Sequence, residues 1–143
     1  MESPIEVFSN WALNGKDEGM EKNHSASVEN MIKYSTKGVD KYKFIDAGCG
    51  NGWVVRKVSS DKKCINAIGV DGSIHMIEKA KMLDNKNEYF CSDLLRWIPK
   101  EKVDIVHSME VLYYFEKPVI LIGHIHDNWL DIGGRLIMGI DHY

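Results

Sequence analysis

The sequence has little proline and cysteine and lacks a long hydrophobic run. It contains three prolines and three cysteines in 143 residues. An odd number of cysteines with no CxxC pair argues against a disulfide scaffold or a cysteine-based zinc site. No apolar run approaches the ~18 residues that a membrane helix needs, and the first residues, MESP, lack the basic and apolar regions of a secretory signal. These absences predict a cytoplasmic protein with no membrane partner.

The chain also lacks an excess of positive charge. Lys and Arg number 18 against 21 Asp and Glu, which gives a net charge of −3. Proteins that bind nucleic acid present a clearly basic face, so we expect no nucleic-acid partner. Hydrophobic residues make up 44% and charged residues 27% of the chain, values that are ordinary for a globular protein of about one domain.

The first 40 residues are polar, whereas the rest of the sequence alternates between apolar strand patterns and helical patterns. They predict helical pieces, with a break at Asn14-Gly15 and a helix over 23–37 that ends at Gly38. We assign 1–40 to an N-terminal helical cap segment and 41–143 to an α/β domain. Its predicted strands are 42–47, 65–70, 88–91, 103–107 and 135–140, and its predicted helices are 53–59, 73–83 and 117–130.

Alternation of strands and helices predicts a doubly wound, mainly parallel sheet with helices on both faces. The third and longest of these helices is expected to end at Gly133-Gly134. The apolar stripes of the last two helices are Ile74, Ile77 and Ala80, and Ile122, Ile125 and Trp129. Ligands of such folds bind beyond the carboxyl ends of the strands, where the strand order reverses.

A glycine-rich turn follows the first predicted strand. Asp46 precedes the run Gly48-x-Gly50-x-Gly52, in which glycine permits a tight turn and the close approach of a ligand. The next helix is expected to present free backbone N–H groups to a nucleotide-like or carboxylate-bearing ligand. The spacing is one residue tighter than the G-x-G-x-x-G of dinucleotide dehydrogenases, and a P-loop is absent. An NAD-dependent oxidoreductase is therefore the weaker alternative.

Asp71 directly follows the second predicted strand. It lies 23 residues past Gly48, near the ~20 expected for a carboxylate that binds ribose hydroxyls in nucleotide-binding sheets. One carboxylate can accept hydrogen bonds from both hydroxyls, and its charge would repel a 2′-phosphate. The other interpretation is that Asp71 caps the helix beside Ser73.

Two segments carry a resemblance to a known family. The run FIDAGCGNGW and the later segment VDIVHSMEVLYYF resemble the class I S-adenosylmethionine-dependent methyltransferases, and the second is similar to the small-molecule, quinone-biosynthesis branch. The resemblance covers residues 42–141. It implies S-adenosylmethionine as cofactor and methyl transfer to an unidentified small-molecule acceptor.

The resemblance also implies where the cofactor binds. The carboxylate of Asp93 would accept from the adenine amino group, and the backbone N–H of Leu94 would reach the adenine ring. The methionine side would be lined by His107, Ser108 and Met109. The complete predicted set of cofactor-binding residues is Asp46, Gly48, Cys49, Gly50, Asp71, Gly72, Ser73, Asp93, Leu94, His107, Ser108 and Met109.

No nucleophilic side chain is required, because the cofactor is itself an activated sulfonium. A general base is needed only if the acceptor must lose a proton, and His107, Asp141 and His142 are candidates at or beyond strand ends. Tyr114 stands where many relatives carry His, so an acid or base role of that His does not carry over to this sequence.

Two other groups of residues contain side chains that could bind a metal or cover the site. His124 and His126 point to opposite sides of a helix and are not expected to share a metal ion. In the N-terminal segment, Trp11, Met20 and His24 either close the pocket or belong to a surface arm.

The end of the sequence predicts an incomplete sheet. Family members of this kind continue past the fifth strand, whereas this chain stops at Tyr143. We therefore expect a truncated form in which 135–140 is an exposed apolar edge that favours pairing in a homo-oligomer. A cofactor-binding but catalytically incomplete module remains the alternative to an active enzyme.

Overall fold

A five-stranded parallel sheet forms the centre of the molecule. The computed structural model describes residues 5–6, 16–111 and 115–140, and within 16–23 only the backbone. The strands are β1 (Tyr42–Ala47), β2 (Cys64–Asp71), β3 (Glu88–Cys91), β4 (Val103–Met109) and β5 (Leu130–Gly139), and the helices are α1 (Lys16–Ser35), α2 (Trp53–Ser59), α3 (Ile74–Leu83) and α4 (Pro118–Asn128). The strand order is β3-β2-β1-β4-β5. The predicted doubly wound α/β fold is confirmed.

Apolar side chains cover both faces of the sheet. Phe44 of β1 packs in a cluster with residues of α1, α2 and α3, while the next residue, Ile45, packs in a second cluster with residues of α4. Successive side chains of a strand point to opposite faces, so β1, whose residues are buried apart from the half-buried Lys43, must be covered on both sides. This explains why β1 lies at the centre, between β2 and β4.

The strand order reverses between β1 and β4. The chain moves outward from β1 to β2 and β3, and then returns to the other side of β1 to form β4 and β5. The carboxyl ends of all five strands lie at one edge because every pairing is parallel. The crevice for a ligand is expected at this edge, beside β1 and β4.

The boundary between α4 and β5 differs from the prediction. The helix ends at Asn128, Trp129 follows as its C-cap, and Gly133-Gly134 lie inside β5 rather than ending the helix. The carbonyl of Trp129 accepts a hydrogen bond of 2.8 Å from the backbone N–H of Val103. This contact with the start of β4 brings the chain into the sheet earlier than the glycine pair suggested.

The other helices also differ in detail. Helix α1 begins at Lys16 and continues through Gly19, because the packing of residues such as Val28 against the sheet outweighs the ~1 kcal/mol cost of one helical glycine. In α3 the buried residues are Met76, Ile77 and Ala80, whereas Ile74 is exposed in the first turn. In α4 the buried residues are Leu121 and Ile125, and Ile122 is exposed.

β5 lies at one edge of the sheet within the described part of the chain. One of its faces is covered, because Nη1 of Arg135 donates to the carbonyls of Ser35 and Lys37 at the end of α1. Ile132 and Ile140 are exposed. Among the described residues, no helix has the length and apolar character needed to cross a membrane.

Candidate cofactor site

The glycine turn after β1 uses backbone conformations that favour glycine. Gly48 and Gly50 have φ values of +78° and +54°. A Cβ at Gly48 would collide with Cγ2 of Val111, whereas a Cβ at Gly50 would have Met76 Sδ, at 3.9 Å, as its nearest neighbour. Gly48 is therefore required by packing, and Gly50 leaves open space above the turn.

The backbone N–H groups of this turn are already bound to the protein. Those of Gly48 and Cys49 donate to the carbonyl of Val70 at 2.8 and 3.0 Å, and that of Gly50 donates to the Asp71 carboxylate at 2.9 Å. The register of β1 and β2, which pairs Ala47 with Val70, places these acceptors beneath the turn. The turn therefore provides close approach to a ligand, while its first three N–H groups are engaged. The free N–H groups that the sequence predicts belong to the following helix, α2, and they stay a prediction.

Asp71 is buried at the carboxyl end of β2. One carboxylate oxygen accepts from the backbone N–H of Ser73 at 2.8 Å and the other accepts from Gly50 at 2.9 Å. Burial raises the pKa of Asp71, the two N–H donors oppose that rise, and the charge of Asp46 adds to it. The N-cap of α3 is Ser73, not Asp71, because the Ser73 hydroxyl oxygen accepts from the N–H of Met76. A carboxylate has about four lone-pair positions, so Asp71 retains acceptor capacity for two hydroxyls.

Asp46 and His107 form a buried pair between β1 and β4. The register places the two residues opposite each other, and Nδ1 of His107 lies 2.8 Å from Oδ1 of Asp46. The His107 ring also stacks on Phe44, with ring centroids 6.0 Å apart. Because the His107 side chain is wholly buried and Nδ1 is engaged, it is not placed to line the pocket or to take a proton from an acceptor. Its predicted role as a base is therefore wrong for this structure.

The residues after β3 lie at the far end of the same edge. Asp93 is exposed, and its side chain accepts from the backbone N–H of Leu95 at 3.0 Å. Leu94 is buried in the second core cluster. Asp93 is thus accessible to a ligand, while the Leu94 side chain serves packing and only its backbone is left for the predicted contact.

An N-terminal residue reaches the site between these groups. A Cβ at Gly72 would lie 3.0 Å from the side chain of Ile5, so Ile5 lies against the residue that follows Asp71. Ser73, also in the predicted set, is fully buried. Ile5 therefore lies at the carboxyl edge of the sheet, next to Asp71.

The remaining members of the predicted set lie within the protein. The Ser108 hydroxyl is buried and donates to the carbonyl of Ala47 at 2.9 Å, so it does not line a pocket. Met109 is partly buried and packs against the first core cluster. Cys49 is buried, and its burial raises the pKa of its thiol well above the ordinary value.

Glu110 and Val111 belong to the site and were not predicted there. Glu110 is buried with a φ of +59°, and Val111 lies against Gly48. A positive φ is usually marked by glycine or asparagine. Neither is present at this position, so the sequence carried no signal for the bend.

Several other candidates lie outside the described residues or apart from the site. Trp11, Tyr114, Asp141, His142 and the side chain of Met20 lie outside the described part. His24 is buried on α1. His124 contacts the carbonyl of Trp97, and His126 contacts Asp127. The described residues contain no cluster of three or more metal-ligating side chains.

The acidic side chains follow one another along the edge of the sheet. The strand order places Asp93 after β3, Asp71 at the end of β2 and Asp46 in β1 next to His107 of β4. Within the described chain, neither Asp46 nor Asp71 has a lysine or arginine at ion-pair distance. The acidic side chains thus form a row along the carboxyl edge of the sheet, beside a glycine turn whose Gly48, Cys49 and Gly50 N–H groups are bound to the protein.

The strand order and the glycine turn after β1 define a Rossmann-like α/β protein. The chain belongs to the methyltransferase domain family, whose model matches residues 45–138. This confirms the resemblance to class I S-adenosylmethionine-dependent methyltransferases. The quinone-biosynthesis branch and the truncation stay predictions.

Solved structures of similar fold agree with the family. The chain superposes on the methyltransferase in the complex with the Haloferax volcanii Trm112 methyltransferase activator with a TM-score of 0.82 and 26% identity, covering 96% of this chain and 60% of that one. For DhpI in complex with SAH the TM-score is 0.76 at 17% identity, with 94% and 65% coverage.

A third similar structure is the N-methyltransferase NodS of Bradyrhizobium japonicum in complex with S-adenosylhomocysteine. Its TM-score is 0.69 at 19% identity, with 80% of this chain and 60% of that chain covered. The chain therefore spans less than two thirds of the length of these three proteins. No curated protein matches the sequence significantly.

Proposed function

We propose that this chain binds S-adenosylmethionine at the acidic edge of the sheet and transfers its methyl group to a small-molecule acceptor. The observation that carries the proposal is the glycine turn, whose Gly48, Cys49 and Gly50 N–H groups are bound to protein acceptors. Two buried carboxylates, Asp46 and Asp71, lie beside it.

This electrostatic arrangement favours a cationic ligand over a dinucleotide. The N–H groups of Gly48, Cys49 and Gly50 are engaged by protein acceptors and are not free to bind the pyrophosphate of NAD, which the buried carboxylates would also repel. S-adenosylmethionine carries a sulfonium and an ammonium group, so its positive charges complement the site. Related folds crystallised with S-adenosylhomocysteine support the same cofactor.

The order of the strands suggests how the cofactor lies. Asp93 would bind the adenine, Asp71 the ribose hydroxyls, and the methionine part would pass over Gly48 and Gly50 toward Asp46. When bound, the cofactor supplies a methyl group already activated on sulfur. The residues of this chain need to hold it, align the acceptor in line with the methyl–sulfur bond and exclude water.

We infer a cytoplasmic protein, and we infer that the acceptor is a small molecule that enters beside β4. We also infer self-association through β5, because Ile132 on this edge strand and Ile140 just after it are exposed.

A thermal-shift panel tests the proposal against the dinucleotide alternative. The protein is heated with S-adenosylmethionine, S-adenosylhomocysteine, NAD or NADP, and a ligand at 100 times its dissociation constant should stabilise the fold by about 2.7 kcal/mol. We expect a shift with the two sulfur nucleosides only. A rise in Tm with NAD and none with the sulfur nucleosides would contradict the proposal.

Product formation then separates an enzyme from a binding module. The protein is incubated with S-adenosylmethionine and a set of phenol, amine and carboxylate acceptors. The product S-adenosylhomocysteine is then measured by mass spectrometry. Formation above the acceptor-free control supports the enzyme. Cofactor binding with no product from any acceptor favours the incomplete module.

A further inference from the structure

We propose that His107 is a positioning residue that acts on the cofactor through Asp46. The inference rests on the proposed function, because it concerns the methionine end of the same site. The two side chains meet at 2.8 Å between Nδ1 and Oδ1, and the side chain of neither is more than 4% exposed. His107 therefore acts on Asp46 and not directly on a substrate.

The contacts of the ring determine its protonation. A bare Nδ1 would place two acceptors face to face at 2.8 Å, so Nδ1 carries the proton and donates it to the carboxylate. Nε2 is buried and has no hydrogen-bond partner in the described part of the chain. Nδ1 is therefore the donor of this pair, and the Asp46 carboxylate is its acceptor.

This contact fixes the direction in which Asp46 presents its charge. Oδ1 is held by His107, and the stacking of the ring on Phe44 restrains the donor itself. The second carboxylate oxygen is left for the ligand or for a bound water. Because Asp46 lies beyond Asp71 along the edge, this charge would serve the amino-acid part of the cofactor rather than its ribose. His107 thus orients the group that distinguishes a methionine-bearing nucleoside from a plain one.

Two ligands and three variants test this role. The ligands are S-adenosylhomocysteine, which has the amino-acid part, and 5′-methylthioadenosine, which lacks it. The variants are His107→Asn, whose amide nitrogen replaces Nδ1, His107→Gln, whose amide nitrogen replaces Nε2, and His107→Phe, which keeps the ring shape without a donor. Dissociation constants are measured by calorimetry, and folding is checked by thermal unfolding.

We expect a loss that is specific to one ligand. His107→Gln and His107→Phe should weaken S-adenosylhomocysteine binding by about tenfold, the scale of one lost charge-assisted hydrogen bond, and should leave 5′-methylthioadenosine binding unchanged. His107→Asn should restore affinity to within about threefold of the wild type, since it retains the donor. Tyr42→Phe is the matched control, because it removes a hydrogen bond to Asp61 at the other end of β1.

Each outcome separates this inference from the proposed function. If the wild-type protein binds neither sulfur nucleoside, the proposed function fails and this inference fails with it. If the wild type binds and the variants lose affinity for both ligands equally, His107 is only structural and the inference is overturned. Wild-type affinity in a folded His107→Phe protein overturns it as well.

Discussion

Asp71 connects the glycine turn, the first turn of α3 and the predicted ribose contact. Its carboxylate accepts from Gly50 and from Ser73, so a substitution changes the turn as well as any ligand contact. We predict that Asp71→Ala lowers cofactor affinity by about ten- to a hundredfold, because it removes charge-assisted hydrogen bonds of roughly 1.5–3 kcal/mol. Calorimetry with S-adenosylhomocysteine measures the loss.

A 2′-deoxy analogue of S-adenosylhomocysteine shows whether that loss comes from the ribose. If Asp71 binds the 2′-hydroxyl, the analogue binds more weakly than its parent to the wild type but equally well to Asp71→Ala. Losses that simply add would mean that Asp71 orders the turn and does not touch the ribose.

Gly50 and Gly38 both have a positive φ and open space around an added Cβ, but only Gly50 lies in the turn after β1. Gly38 also has a positive φ, +76°, with nothing within 4 Å of an added Cβ, but it lies at the end of α1 away from the site. We predict that Gly50→Val and Gly38→Val cost similar stability, about 1–3 kcal/mol of backbone strain each, while only Gly50→Val abolishes cofactor binding. Its effect should also exceed that of Asp93→Ala, which removes an adenine contact alone. Equal binding by the two valine variants would mean that the pocket lies elsewhere.

At the scale of elements, the end of α3 supports the glycine turn through β3. The Tyr89 hydroxyl donates to Asp84 at 2.5 Å, and the ring lies beneath Gly52, where an added Cβ would be 2.6 Å from Cε1. Burial works against the charge of Asp84, but hydrogen bonds from Tyr89, Asn87 and the backbone prevail and lower the pKa of Asp84 to about 2.

This lowered pKa predicts a loss of stability in acid. A carboxyl whose pKa is lower in the folded state stabilises the fold above its unfolded value of about 3.9, and the contribution is lost as the pH falls toward 2. Because Asp84 is partly exposed, the contribution is at most about 1 kcal/mol. Asp84→Asn should lower Tm at pH 7 and flatten its fall between pH 4 and 2. Asp127→Asn, on an exposed pair, is the control, and identical pH profiles for Asp84→Asn and the wild type would contradict the prediction.

The sequence predicted elements whose signals are local. The bounds of β1, β3 and α2 agree with the structure because each is a short apolar segment next to glycine, asparagine or serine. The end of α4 was misplaced, since the pairing of Trp129 with Val103 is long-range and Gly133-Gly134 resembles a helix stop. The acidic residues at the strand ends were found, but the partners of Asp46 and Asp71 depend on strand register. The only sign of the Asp46–His107 pair in the sequence was that each of these polar residues stands in a mostly apolar predicted strand.

At the scale of the whole molecule, β5 remains an edge within the described chain. Ile132 on this strand and Ile140 just after it are exposed, and unpaired strand edges favour association. We predict that light scattering over a concentration series shows self-association, which Ile132→Lys and Ile140→Lys reduce. Val119→Lys changes an equally apolar, exposed residue on α4 and should have no effect. A monodisperse monomer at all concentrations would remove β5 as an interface.

We propose that the acidic edge of the sheet is an S-adenosylmethionine site, and a crystal structure of the chain with S-adenosylhomocysteine tests this proposal directly. We expect the ribose hydroxyls at hydrogen-bond distance from Asp71, the adenine beside Asp93, and the amino-acid part over Gly50 toward Asp46. A ligand bound away from the glycine turn, or bound there with its ribose out of reach of Asp71, would contradict the proposed S-adenosylmethionine site.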